Sequence, residues 1–265
     1  WLSLALAFAV LGVSCGGDDG SANGDAGSEG DKPLVAFLLP SSTGQPRWEK
    51  QDAPAFTEAM SKYAPEATVQ VSNANDDAAR QQSQAEAALT NGADVLVVAA
   101  VDGVAAGQIV AAAKRENVPV IAYARPIEDS DFDYFVTADV PAMGQAQAQW
   151  ILDNTSDGDK IAIIGGASDD VNAHIIRDAY TEVLQPALDA GTRTIVSDTF
   201  TPAWDPVKAQ QQTDQILTKQ NDDLQGVLVS NDGMAGGVIA ALRTRQLVGD
   251  VRWTRSRPRF WAAAG

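Results

Sequence analysis

Short apolar runs recur along the chain at 35–39, 68–72, 95–99, 118–122, 135–138, 160–164, 194–197 and 226–229. Between most of them, apolar positions return at helical spacing, at about 47–63, 77–90, 104–116, 141–154, 172–188, 205–219 and 233–243. In the first of these windows Trp48, Ala55, Phe56, Ala59, Met60 and Tyr63 fall near one face. Continuous apolar strands joined by helices predict a parallel sheet covered on both faces, with right-handed crossovers. A closed eight-stranded barrel would need an unbroken strand–helix repeat. Between 118–122 and 135–138 the stretch Arg125-Pro126-Ile127-Glu128-Asp129-Ser130-Asp131 reads as a loop, with no room for a helix. The break predicts an α/β fold of two doubly wound parallel-sheet lobes, with the chain passing from lobe 1 at 32–138 to lobe 2 at 139–251.

The ends of the chain read differently. Residues 1–13 are almost wholly apolar, too short a run for a bilayer and of the length of a signal-peptide core. Leu11-Gly12-Val13-Ser14-Cys15 follows and resembles a bacterial lipobox, with the Leu one place too far upstream. Segment 1–15 is therefore expected to be part of a lipoprotein signal, with Cys15 the lipidated residue. Residues 16–31 hold six Gly, five acids and no apolar side chain larger than Ala, the composition of a disordered tether. A membrane anchor of this kind needs more than one acyl chain to hold. At the other end, 252–265 carries four Arg and no acid after a strongly acidic body. That switch reads as an aberrant basic tail produced by a shifted reading frame.

Charge and composition remove several classes of function. The 265 residues carry 19 Lys and Arg against 35 Asp and Glu, a formal charge of −16. Such a surface repels phosphates and argues against nucleic acid. One Cys and one His leave no intrachain disulfide, no cysteine zinc site and no paired-histidine metal motif. An enzyme reading would rest on His174 beside Asp169 and Asp170; His174 reads better as a packed or solvated helix residue. No metal and no cofactor are expected.

In open parallel sheets, ligands bind beyond the carboxyl ends of the strands. The residues there are Arg47-Trp48 after the first strand, Tyr123-Ala124-Arg125 after the fourth and Asp139 after the fifth. Gly165-Gly166 through Asp170 and Asn172 follow the sixth, Trp204-Asp205 the seventh, and Asn231-Asp232 the eighth. Guanidinium forks and carboxylates each engage two neighbouring hydroxyls, and Trp faces cover the C–H face of a sugar ring. The Gly-rich turns spell neither G-x-G-x-x-G nor G-x-x-x-x-G-K, so a nucleotide site is unsupported. Each residue also has a structural alternative. Trp48 suits a helix core, Arg125 an exposed strand end, and Asn172 and Asn231 helix caps; Asp205 is assigned to capping and Asp139 is left open between the two roles.

The chain from about 32 to 250 resembles type I periplasmic binding proteins of sugar ABC transporters, in their xylose-binding branch. The resemblance lies in Arg47-Trp48, Ser72-Asn73-Ala74-Asn75, the run 92–98, Tyr123 with Arg125, Asp139, Gly165-Gly166 with Asn172, Trp204, and Ser230-Asn231-Asp232 with Ala235-Gly236-Gly237. It implies two lobes joined by a hinge, with a monosaccharide, xylose or a similar pentose, held between them by a protein that acts as a monomer. It also implies delivery to a membrane permease driven by a separate ATPase subunit, without catalysis. Carried over by position, Arg47, Arg125, Asp139, Asn172 and Asn231 would hydrogen-bond the sugar, and Trp48 and Trp204 would stack on it. Two departures stand out. Ala124 occupies the place of an Asp, which removes one carboxylate from the cleft. The final strands and the return to lobe 1 are replaced by 252–265, leaving one hinge crossing of three. A sensory module for a chemoreceptor or kinase is the alternative function. A LacI-type regulator would need a helix-turn-helix where the leader and tether stand.

Overall fold

The computed structural model describes residues 32–42 and 45–254. The expected leader with Cys15, the tether and residues 255–265 lie outside the described residues.

Two parallel sheets organise the chain. The first contains β1 (Leu34–Leu39), β2 (Thr68–Asn73), β3 (Val95–Val98), β4 (Val120–Tyr123) and β5 (Tyr134–Val136), in the order β2-β1-β3-β4-β5. Its helices are α1 (Ala53–Tyr63), α2 (Ala78–Thr90) and α3 (Gly107–Arg115). The second contains β6 (Asp159–Gly165), β7 (Arg193–Phe200), β8 (Gly226–Val229) and β9 (Arg252–Trp253), in the order β7-β6-β8-β9. Around it lie α4 (Val140–Asp153), α5 (Val171–Asp189), α6 (Pro206–Gln220) and α7 (Asp232–Thr244). Every strand pair is parallel. Among the described residues the chain passes from sheet to sheet once, through 137–139.

The alternation of side chains along β1 shows why both faces need cover. Val35, Phe37 and Leu39 pack with Trp48, Phe56 and Met60 on one face. Ala36 and Leu38 pack with Ala85, Ala88, Ile109, Val110 and Ala113 of α2 and α3 on the other. A period of two thus divides one short apolar run between two cores. In β6 the central Ile161-Ala162-Ile163-Ile164 is buried throughout, between α4 and α5 on one side and α6 and α7 on the other. The strand's lack of amphipathic alternation follows directly.

Polar residues before the helices fix where they begin. Asp77, Asp139, Asp170, Asp205 and Asn231 each accept a backbone N–H of the first turn that follows. Such a cap satisfies a donor that no helical carbonyl can reach, and is worth about 1 kcal/mol. The capping role expected for Asp205 is what the structure shows, with Val207 N at 2.7 Å.

Three expectations change. The helix expected over 47–63 opens with a π-helical turn, Trp48–Asp52, before α1 begins. The fifth strand is shorter than expected and ends at Val136. The basic tail expected to begin at 252 instead opens with β9. Arg252 N donates to Gln225 O at 2.8 Å, Thr254 N donates to Val227 O at 3.1 Å, and Thr254 Oγ1 accepts from Val229 N at 2.9 Å. Thr254 is buried. The open edge of β8 supplies these bonds, and a two-residue strand is too short to leave a periodic signature. The first sheet's outer strand β5 is exposed along its whole length, with Tyr134 and Val136 more than half accessible.

Candidate functional site

Both sheet orders reverse direction, between β1 and β3 in the first and between β6 and β8 in the second. Loops that leave such switch points diverge and create a crevice. Here the loops after β3 and β4 meet those after β6. Arg125 Nε lies 2.8 Å from Asp170 Oδ2, an ion pair whose two side chains are 7% and 2% exposed. Arg125 Nη1 also donates to Ala100 O at 2.7 Å. Asn172 Nδ2 donates to Ala124 O at 2.7 Å, and Gly103 N donates to Asp169 O at 3.4 Å.

Asp170 is the centre of this arrangement. Its carboxylate faces Arg125, accepts Trp204 Nε1 at 3.1 Å and accepts Asn172 N at 3.0 Å. Burial pushes its carboxyl above the ordinary range, against the opposing pull of Arg125, the Asn172 N–H and the Trp204 indole. Trp204 reaches it through a tight turn in which Ala203 and Trp204 both have positive φ, 58° and 55°. The indole lies so close over Gly166 that a Cβ there would fall 2.2 Å from Trp204 Cη2. Gly166 is therefore what lets the ring lie down beside Asp170.

On the other wall, Arg47 holds Asp52 through two hydrogen bonds of 2.8 Å, and Asp52 also accepts the Tyr123 hydroxyl at 2.8 Å. The Asp52 carboxylate raises the Arg47 pKa, and burial followed by the Asp52 contact pushes the Tyr123 phenol up to about 12. The Arg47 guanidinium lies 4.5 Å from the Trp48 ring centroid and that of Arg125 at 5.4 Å. Trp48 is 2% exposed, and its Nε1–H is buried without an acceptor among the described residues. Asp76, hydrogen-bonded by Ser41 Oγ at 2.8 Å, is raised by burial and also feels Arg125, Asp169 and Lys208.

The structure thus brings Arg47, Trp48 and Arg125 together on one wall, and Asn172 and Trp204 on the other. Trp48, expected to stack on a sugar, has guanidinium groups close to its ring in this arrangement. Asp139 is exposed and its side chain accepts Ala142 N at 3.0 Å; the side chain of Asn231 accepts Met234 N at 2.8 Å. Both therefore serve as caps in this arrangement. His174 is exposed, with Nε2 2.9 Å from Ser168 O and its ring against Phe200. Asp52 is absent from the residues the sequence points to, and Asp170 stands among those after the sixth strand without being singled out as a contact. Asp170 carried one usable signal, an acid one residue before a helix and four after a Gly pair. Asp52 carried none.

Ala124 adopts φ 60°, a left-handed conformation that Asp and Asn tolerate better than Ala. Its N–H donates to Val136 O at 2.7 Å while its carbonyl takes the Asn172 amide, so both backbone groups pin the unusual geometry. A cavity of about 160 Å³ lies elsewhere, between β7 and α6 near Gln212 and Lys219, away from the facing loops. Among the described residues there is no group of three or more metal-ligating side chains, and no helix is long and apolar enough to cross a membrane.

This pair of sheets with facing loops defines an α/β binding protein of the two-lobed kind. The family model described as "Periplasmic binding protein domain" matches residues 35–255, and the chain belongs to that family, with the type I fold. The D-xylose-binding periplasmic protein of Escherichia coli (strain K12) is 34% identical over 205 residues, which cover 77% of this chain and 61% of that protein. The multiple sugar-binding periplasmic protein SbpA of Azospirillum brasilense is 31% identical over 227 residues, covering 80% of this chain and 62% of its own length. An ABC transporter solute binding protein from Clostridium phytofermentans with bound β-D-glucose superposes with a TM-score of 0.73 at 29% identity, covering 83% of this chain and 70% of that one. The chain spans about three fifths of the curated relatives it matches.

Proposed function

We propose that the chain serves as an extracytoplasmic receptor that captures a monosaccharide, xylose or a similar pentose, in the cleft between its two sheets. The observation that supports it most is the Arg125–Asp170–Trp204 group, in which a guanidinium, a carboxylate and an indole from both lobes meet at the facing loops. A polyol offers donors and acceptors to such a set together with an apolar face for the ring. The Trp48 N–H, buried without an acceptor among the described residues, adds a donor for a hydroxyl oxygen. Arg47, Trp48, Arg125, Asn172 and Trp204 are the proposed ligand contacts, with Asp139 and Asn231 at the margins. Similarity to proteins named for xylose favours a pentose, while similarity to a multiple-sugar binder and a glucose complex leaves the hexoses as competitors.

In this reading the protein performs no reaction. It works with an ABC permease and its ATPase subunit, as a monomer held to the membrane through lipidated Cys15. Thermal melts with xylose, ribose, arabinose, glucose and galactose test the ligand. A sugar present at 100 times its dissociation constant adds about 2.7 kcal/mol to stability. Xylose is expected to raise the melting temperature most. A larger rise with a hexose overturns the pentose assignment, and no rise with any of the five overturns the sugar reading.

A further inference from the structure

The loop after β3 approaches lobe 2 at a point none of the proposed sugar contacts occupies. Gly103 stands there with open space on neither side. A Cβ on it would fall 2.7 Å from Val171 Cγ2 in lobe 2, and 3.4 Å from both Glu128 Oε1 and Pro126 O in its own lobe. Carbon atoms pack at about 3.5–4.0 Å, so at the first of these distances either the Val171 side chain or the lobe that carries it must give way to any side chain at 103. Gly103 N donates to Asp169 O at 3.4 Å, and Gly103 O accepts Glu128 N at 2.9 Å, which ties the loop to the Arg125 segment. Its φ is not in the left-handed region, so the backbone alone would admit alanine.

Val171 is equally well placed to bear on the loop. It is the first residue of α5, directly after Asp170 and directly before Asn172. Its neighbours make the ion pair with Arg125 and the hydrogen bond to Ala124 O. The contact therefore lies in line with the two polar bridges, along one seam formed by residues 100–103 and 124–128 of the first lobe and 169–172 of the second.

We infer that Gly103 and Val171 are positioning residues that act as the closing stop of the cleft. The missing side chain at 103 lets α5 approach until Val171 meets the loop backbone, and that contact sets how near Asp170 and Asn172 come to Arg125 and Ala124. The stop fixes the width of the cleft without touching a ligand. Its use in capture rests on the sugar-binding reading; its geometry does not.

A thermal double-mutant cycle on the full chain tests the contact without any sugar. Gly103→Ala is expected to lower the melting temperature by about 3 °C or more, from overpacking. In a Val171→Ala background the same change is expected to cost little, because the clashing methyl is gone. Spin labels at Lys62→Cys and Lys219→Cys, both exposed and one in each lobe, report position in a Cys15→Ser chain. Gly103→Ala is expected to lengthen the label-to-label distance, and Val171→Ala to restore it. Equal melting losses in both backgrounds overturn the inference, since Gly103 would then serve only its own lobe beside Glu128 and Pro126. So does an unchanged distance, and so does a Gly103→Ala chain that fails to fold and is not rescued by Val171→Ala. Sugar melts on the unmodified chain stand apart: their failure removes the receptor reading and leaves the stop intact.

Discussion

Gly166→Ala probes the site by sterics alone. The added Cβ would lie 2.2 Å, 2.3 Å and 2.6 Å from Trp204 Cη2, Cζ2 and Cε2. Carbon contacts normally begin near 3.5 Å, so the indole must withdraw by about 1 Å. It has little room to do so. Trp204 is 5% exposed, and its backbone sits in a left-handed turn with φ 55°. Overpacking of this size costs about 1–3 kcal/mol. Withdrawal also stretches the bond from Nε1 to Asp170, and an unpaired buried group adds about 1–3 kcal/mol. The total of about 2–5 kcal/mol corresponds to a fall in melting temperature of roughly 5–15 °C for a chain of this size. Denaturation followed by circular dichroism measures it, and the near-ultraviolet bands report the displaced indole. A truncating second change, Trp204→Ala, is expected to make Gly166→Ala nearly silent. A Gly166→Ala protein that melts within about 1 °C of the wild type, with unchanged near-ultraviolet bands, would refute the packing described for Trp204.

Other consequences follow from single residues. Ala124→Gly relieves a left-handed alanine and is expected to stabilise by about 1 kcal/mol in urea denaturation; a loss of stability would contradict the strain assigned there. Burial raises the Asp170 carboxyl, so its contribution to stability is fully present below the unfolded carboxylate range and is lost as pH rises through the folded value. The stability of the wild type relative to Asp170→Asn is accordingly expected to fall as pH rises across that window. A difference that instead grows with pH would show the Arg125 pair outweighing burial. Burial, then the Asp52 contact, push the Tyr123 phenol up to about 12, above the ordinary phenol value of about 10, so its contribution holds below about pH 10 and fades toward 12. Ultraviolet titration should lose one late-ionising phenol in Tyr123→Phe.

The fold was legible because parallel strands buried on both faces leave runs that are apolar without alternation, as in 161–164, and because helices leave a different period. The absence of a helix in 125–131 marked the break between the sheets. Short and edge elements were not legible. β9 exists because β8 offers an unfilled edge, and nothing in Arg252-Trp253 announces that. The Trp48–Asp52 turn keeps helical spacing closely enough to pass for the start of α1. In the site, residue types at strand ends pointed to Arg125, Asn172 and Trp204, which the structure gathers at the facing loops. Partnership was the hidden part. Asp170 becomes central only because Trp204, 34 residues later, folds over Gly166 to reach it. Asp139 and Asn231 show the opposite case, since the features that suit a hydroxyl ligand also suit a helix N-terminus.

Calorimetric titration of D-xylose into the full chain, repeated with Arg125→Ala and Trp204→Ala, examines the ligand and the cleft together. The unmodified chain is expected to give saturable heat, at a micromolar constant corresponding to about 8 kcal/mol, and both variants are expected to lose it. Binding that is unchanged by either substitution would place the ligand outside the cleft. No heat with xylose, ribose, arabinose, glucose or galactose would overturn the reading of the chain as a sugar receptor.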